Sequence, residues 1–454
     1  MQENKYTDTT KQVGVFIAIL IILGIRSGKS IIYPPLRWED GTHMLAFYFN
    51  STNPADIFRF YAGYISLIPN AIGYLATRFP VIYAPYVMAW SSLVIAAYGF
   101  YLISSSRFEW VISSLRLRIV IAILLSLLPL GGLNYVLNLT YSQWNILFIV
   151  TLLLASPLPN GFRARLWEVL LVSLCIFSHP LTIGLLPLCI IRFFVTKDKV
   201  GRIIALVYAF LIILYPLITM VYVTLVSPGR LSHFNLSFST VWLSTKVFLC
   251  RSLVGAFTGT GVVSSVVASE DGVAYVCLAG IVIILLTILA STFQHNRVRH
   301  LSWCILGFGL ALGFIFVSCA TRNGDQSWIF RGNWREYTSR LVCALCILTQ
   351  LVPVLWQALS KQVFLRKTLL LTAIVIYLIA INIHGQFFYR SPLGEGRRLR
   401  AFVQEVHQDM IRAKQGDNYK EEHVFNRGGH WDIVLNIDKR LHHNTTEETA
   451  DPNE

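Results

Sequence analysis

Runs of apolar residues long enough to cross about 30 Å of hydrocarbon recur along this chain. They fall near 13–32, 80–104, 118–136, 141–157, 166–178, 180–195, 202–226, 273–292, 301–320, 339–359 and 367–385. The two short runs on either side of Ser178-His179-Pro180 also suit one broken or re-entrant passage, because Pro180 and Pro187 remove backbone donors that a continuous helix needs. The pattern predicts an all-α polytopic membrane protein of about eleven transmembrane helices, with a membrane region over 1–385 and an extramembrane segment over 386–454. In that segment Leu399, Phe402, Val403, Val406 and Met410 recur at helical spacing among charges and predict an amphipathic helix. Residues 428–437 read as a turn and a short strand, and the polar end of the chain reads as disordered.

Charge gives this pattern a direction. With the amino terminus in the cytoplasm, the short loops carrying Arg107, Arg116 and Arg118, then Arg163 and Arg165, then Lys197, Lys199 and Arg202, then Arg297 and Arg299, then Lys361, Arg366 and Lys367 all fall inside. The outer loops are then 33–79, 134–141, 227–272 and 321–338, and they hold nearly all the carboxylates outside the two termini. Arg390, Arg397, Arg398 and Arg400 resist the scheme, and a re-entrant last run would return the tail to the cytoplasm. The composition is 55% hydrophobic and 14% charged, too apolar for a soluble globule of this length. The net charge of +14 is accounted for by loops facing anionic lipid rather than by nucleic acid. The eight cysteines lie mostly within apolar runs, where they read as small apolar residues and not as a metal site or a disulfide framework. The first run lacks a small-residue cleavage site and reads as a retained anchor.

The candidate chemistry lies in the first outer loop. Arg37-Trp38-Glu39-Asp40-Gly41 places two carboxylates just beyond the first apolar run, in a chain that otherwise keeps charge out of the membrane, which suggests a function for them. The stretch from Ile57 to Phe79 is aromatic, includes Arg59, Tyr61, Tyr64 and Arg78, and is broken by Gly63 and Pro69, which predicts helices lying in the interface. Such carboxylates can serve as a base for a hydroxyl proton, and guanidinium groups can bind a phosphate. Glu39 and Asp40 are the candidate catalytic carboxylates, with Asp40 leading. Arg37, Arg59, Lys246, Arg251, Arg322, Arg331 and Arg335 are candidate phosphate ligands on the same side. Between Arg322 and Tyr337 the aromatic residues also suit sugar rings, or equally an interfacial belt with snorkelling arginines. Asn134, Asn138, Tyr141, Gln143 and Trp144 form a polar outer turn, either a plain interface turn or a sugar-binding surface. His179 is either a second base or a group bonded to carbonyls freed at the helix break. No cofactor is demanded by the pattern; a divalent metal ion bridging Asp40 to a phosphate is compatible with it. Short glycosylation acceptors occur at Asn50, Asn138, Asn235 and Asn444.

Glu39-Asp40-Gly41, Tyr61-Ala-Gly-Tyr64 with Ile68-Pro69, the turn from Asn134 to Trp144 and Ser178-His-Pro-Leu181 together resemble the GT-C superfamily of integral-membrane glycosyltransferases. The resemblance covers most of the chain in topology and about forty residues in motif. It implies a polyprenyl-phosphate-linked sugar donor, a glycan or lipid acceptor, inversion at the anomeric carbon, and a first-loop carboxylate as base, which falls on Asp40 or Glu39 here. It further implies a bacterial inner membrane with the site facing the periplasm. A polysaccharide polymerase of the O-antigen type is the neighbouring alternative, and a transporter or flippase for lipid-linked sugars is the alternative from another class. The near absence of ionisable groups within the apolar runs weighs against ion-coupled transport.

Overall fold

The computed structural model describes residues 3–36, 39–51, 53–61, 63–129, 135–226, 237–320, 328–329, 336–360, 393–426 and 432–441. Its helices of ten residues or more are α1 (Glu3–Ser27), α2 (Leu67–Arg78), α3 (Ala84–Ser104), α4 (Leu115–Leu127), α5 (Ser142–Ala155), α6 (Phe162–Ile176), α7 (Leu186–Val195), α8 (Lys199–Val226), α9 (Phe238–Val247), α10 (Glu270–Thr292), α11 (Arg297–Ala320), α12 (Tyr337–Ser360) and α13 (Leu393–Gln415). Two antiparallel hairpins complete it, β1 (Phe60–Tyr61) with β2 (Tyr64–Ile65) and β3 (Glu422–Phe425) with β4 (Ile433–Asn436).

Among the described residues, six helices are long and apolar enough to cross a membrane: Gln12–Ile31, Val81–Ser104, Lys199–Val226, Glu270–Thr292, Arg297–Ala320 and Tyr337–Ala358. They match six of the eleven expected passages. The runs at 118–136, 141–157, 166–178 and 180–195 form shorter helices, and proline accounts for their ends. α4 stops at Leu127 because Leu128, which precedes Pro129, is extended. α5 stops before Pro157, and α6 stops before His179, which is extended ahead of Pro180. The run at 367–385 lies outside the described residues.

The chain divides into two compact units, each built from separate stretches of sequence. One unit comprises Met1–Arg26, Ala97–Gly132 and Trp144–Tyr389; the other comprises Ser27–Ala96, Leu133–Gln143 and Arg390–Glu454. In the larger unit, buried polar groups tie helix ends together. Arg26 donates to the carbonyls of Ser126 and Leu128, filling acceptors left open at the end of α4. Glu168 of α6 lies between Arg107 at 2.8 Å and Arg192 of α7 at 2.9 Å, and Arg192 also donates to the Leu153 carbonyl at 2.9 Å. Removing one partner of such a buried set strands a charge, so it fixes these ends strongly whatever its net contribution. α11 and α12 pack at Gly307, where the Cys346 sulfur occupies the space a Cβ would need.

In the smaller unit the expected amphipathic helix is α13. Leu399, Phe402, Val403 and Val406 are buried in a core with Met44, Leu45, Tyr48, Phe49, Val81, Ala84 and Met88, and Met410 packs against it. The expected strand at 428–437 is β4, and its partner β3 is an addition; 427–431 and 442–454 lie outside the described residues. Asn50 holds β4 like a further strand: its Nδ2 donates to the Val434 carbonyl at 2.9 Å and its Oδ1 accepts from the Asn436 amide at 2.8 Å. In the first loop, one helix (α2) forms where interfacial helices were expected. A further helical stretch runs from Asp40 to Asn50, and short turns and the β1–β2 hairpin follow it, the hairpin's tight connection using Gly63 at φ +92°. α13 packs on Tyr33, just past the first long apolar helix stretch, and on Val81–Tyr83, where the next begins.

Gly307→Ala should lower stability by about 1–3 kcal/mol through overpacking. Gly309→Ala, in the same helix with open space around it, should be neutral or stabilising by up to about 1 kcal/mol. Thermal unfolding of the two variants in detergent checks the contrast.

Candidate functional site

The smaller unit assembles the acidic pair and the polar turn around 138–142. Asp40 opens a wide-pitched helix, Asp40–Ala46, and its side chain is completely buried. Its Oδ2 accepts from the Leu139 amide at 2.7 Å, and its Oδ1 accepts from the Thr140 amide and the Thr140 hydroxyl, each at 2.8 Å. Complete burial is the largest influence on this carboxyl and pushes its pKa up to about 7, against the pull of the three donors. Both oxygens are committed to proton donors and the group has no surface, so Asp40 does not fit a bridging divalent ion. No group of three or more His, Cys, Asp or Glu among the described residues is arranged to hold a metal.

Glu39 differs from its neighbour. It is half-buried, its carboxyl is hydrogen-bonded to the Tyr141 side chain, and burial raises its pKa above the usual carboxylate range. The Asp40 side chain contributes more locally than a charge, since it fixes the backbone that carries Tyr141. Asn138 completes that turn, with Oδ1 accepting from the Tyr141 amide at 2.8 Å and its carbonyl accepting from the Ser92 hydroxyl at 2.9 Å. Asn138 thus serves as a cap at the entry to α5.

Aromatic side chains of the first loop pair closely. Tyr61 stacks on His43 with ring centres 4.0 Å apart, and the Arg59 guanidinium lies 3.4 Å from the centre of the Phe47 ring. Gln143 Nε2 donates to the Tyr64 hydroxyl at 3.2 Å, and the Ser66 hydroxyl donates to Gln143 Oε1 at 3.4 Å. Asn70 of α2 donates to the carbonyls of Ile57 and Arg59, holding the short turn at Pro54–Phe58 against the helix. His43 and Thr140 are the residues that motif reading missed. His43 falls three positions after Asp40 in an unremarkable apolar run. Thr140 stood only as the last member of an Asn-x-Thr acceptor.

Trp144, His179 and Tyr337 belong to the larger unit and meet there. The Trp144 and His179 rings are 4.4 Å apart, the Tyr337 hydroxyl donates to Asn145 Oδ1 at 3.2 Å, and the Thr338 hydroxyl donates to the Trp144 carbonyl at 2.9 Å. His179 Nδ1 accepts from the Leu181 amide at 3.1 Å, which leaves the proton on Nε2 and gives His179 the role of a cap at the helix break. Arg251 donates to the Ile329 carbonyl and to the Ser264 hydroxyl, while Arg340 bonds the Arg251 carbonyl and pairs with Glu336. All three charged side chains are buried. Arg37, Asn134, Arg322, Arg331 and Arg335 lie outside the described residues.

Asp40 has a definite pH signature. Its carboxyl is raised from about 3.8 to about 7 on folding, so its stabilising contribution is complete below about pH 3.8 and is lost as pH rises through about 7. The wild-type melting temperature should therefore fall across pH 4–7 more steeply than that of Asp40→Asn. The Asn variant should itself cost about 1–3 kcal/mol, because its amide nitrogen faces backbone donors. Parallel pH–melting profiles would contradict the assignment. No family model, curated protein sequence or solved structure matches this chain.

Proposed function

We propose that this chain is an inverting membrane glycosyltransferase of the GT-C kind. It moves a sugar from a polyprenyl-phosphate donor to a hydroxyl of a glycan or lipid at the extracytoplasmic face of a bacterial inner membrane. The observation that carries the reading is the division of the acidic pair. Asp40 is sealed in and spent on the 139–140 backbone, while Glu39 beside it is half-buried, with Oε2 making no hydrogen bond and a raised pKa next to Tyr141. A carboxylate whose pKa moves toward neutrality is a better acceptor of a hydroxyl proton at physiological pH. Glu39 is accordingly assigned as the base, and Asp40 as the residue that positions the Tyr141 backbone.

In the step itself the acceptor hydroxyl gives its proton to Glu39 as its oxygen bonds to the anomeric carbon. The bond from that carbon to the phosphate oxygen breaks, and its electron pair leaves with the phosphate. Attack opposite the leaving group inverts the centre. Arg59 supplies a cation in the same unit, and its guanidinium geometry suits phosphate oxygens. Tyr61, His43 and Tyr64 offer aromatic faces of the kind that sugar rings pack against.

Surface glycans and lipid-linked sugars can be compared by mass spectrometry in cells lacking the protein and in cells complemented by variants. Wild type should restore one missing sugar. Glu39→Gln should lose at least about a hundredfold in rate at near-normal stability. Tyr141→Phe should lose less and shift the acidic limb of the pH–rate profile upward, because the hydroxyl stabilises the ionised Glu39. Full restoration by Glu39→Gln, with unmodified lipid-linked sugar accumulating on the cytoplasmic side in the deletion, would favour transport instead.

A further inference from the structure

α13 begins with a basic cluster whose position in the smaller unit can be read directly. Arg397, Arg398 and Arg400 are exposed, and no carboxylate lies within ion-pair reach of them among the described residues. The guanidinium carbons of Arg397 and Arg400 stand 5.5 and 5.6 Å from the centre of the Tyr33 ring. Gly396 passes so close to the Tyr33 carbonyl that a Cβ would overlap it, so the helix cannot be drawn back from this point. Tyr33 follows the end of the first membrane passage, Ile31, by two residues. Lys29 is exposed in the turn Gly28–Ile31, against which α13 also packs. Ile32 and Tyr83, at the ends of the first two passages, are 53% and 57% exposed.

Three guanidinium groups and an ammonium are thus held where the chain leaves hydrocarbon, beside bare apolar side chains. That is the depth of lipid phosphates. Cations on the side of the first loop run against the usual cytoplasmic bias of Lys and Arg, and headgroup phosphates supply the missing counter-charge. We propose that the start of α13, with Lys29 and Tyr33, is a docking surface for the phosphate headgroups of anionic phospholipids in the leaflet from which the first loop emerges. Guanidinium groups pair with phosphate oxygens, and the Tyr33 ring keeps two of them oriented toward the interface. The surface orients the C-terminal helix and hairpin on the membrane, whatever reaction the protein performs.

The test is native mass spectrometry of the full-length protein from mixed micelles holding equal amounts of phosphatidylglycerol and phosphatidylcholine. Wild type should retain phosphatidylglycerol preferentially, and R397Q/R400Q should reduce that retention by at least about tenfold. R397K/R400K should keep most of it, as should K414Q at the far end of α13. Equal retention of the two lipids by wild type, or undiminished phosphatidylglycerol on R397Q/R400Q, would overturn the proposal. So would displacement by inorganic phosphate where chloride at the same ionic strength has no effect, which would indicate a soluble anion, or stoichiometric displacement by polyprenyl phosphate, which would indicate a substrate subsite. If the glutamine pair does not fold, the wild-type protein still decides: raising the salt to 0.5 M should strip phosphatidylglycerol selectively, and salt-insensitive retention would refute the surface.

Discussion

A carboxylate with no contact with solvent, accepting from two backbone amides and one hydroxyl, organises the smaller unit around residue 40. Burying an ionisable group costs several kcal/mol unless its oxygens are satisfied, so Asp40 and the 139–140 backbone constrain each other. The pairing reaches about a hundred residues along the sequence and sets the register of everything nearby. The wide helix from Asp40 to Ala46 starts from it, and Met44, Leu45, Tyr48 and Phe49 then fall into the core that receives α13. Glu39 and Tyr141 acquire their relation as a by-product of that anchor.

Two adjacent carboxylates therefore have different physical fates. Backbone donors hold one in place while desolvation presses it toward protonation, and the other is half-buried beside the Tyr141 hydroxyl. Identity and spacing could nominate the pair, but the division between them depends on which amides the remote turn presents. Position after the first apolar run put Asp40 ahead without deciding between the two; burial separates them, with Asp40 engaged by the 139–140 backbone and Glu39 beside Tyr141.

Other parts of the molecule were legible in the chain to differing degrees. The long apolar helices and the amphipathic α13 were readable because hydrophobic periodicity is a local property. Leu399, Phe402, Val403 and Val406 point inward as their spacing requires. The helix breaks around Pro129, Pro157 and Pro180 are also local, yet their effect on passage length emerged only in the fold, where four apolar runs stop short. Asn138 and His179 drew attention as polar residues in apolar surroundings, and both serve as caps. The strand β3 escaped notice because Glu422, His423, Val424 and Phe425 alternate over only four residues, and pairing with β4 completes the pattern. His43 carries no motif and Thr140 only a glycosylation acceptor, so the tertiary contacts are what make them visible.

Asn50 gives one of these contacts a practical meaning. Its amide nitrogen is the donor that holds the Val434 carbonyl, and its oxygen receives the Asn436 amide, so both ends of the side chain are engaged in seating the hairpin. The same residue begins an Asn-Ser-Thr acceptor triplet. In a eukaryotic secretory membrane an oligosaccharide is attached as the nascent loop emerges, long before residue 434 has been synthesised. A glycan on that nitrogen would occupy the seat before the hairpin arrives. The choice of expression host would then determine whether this end of the protein can close.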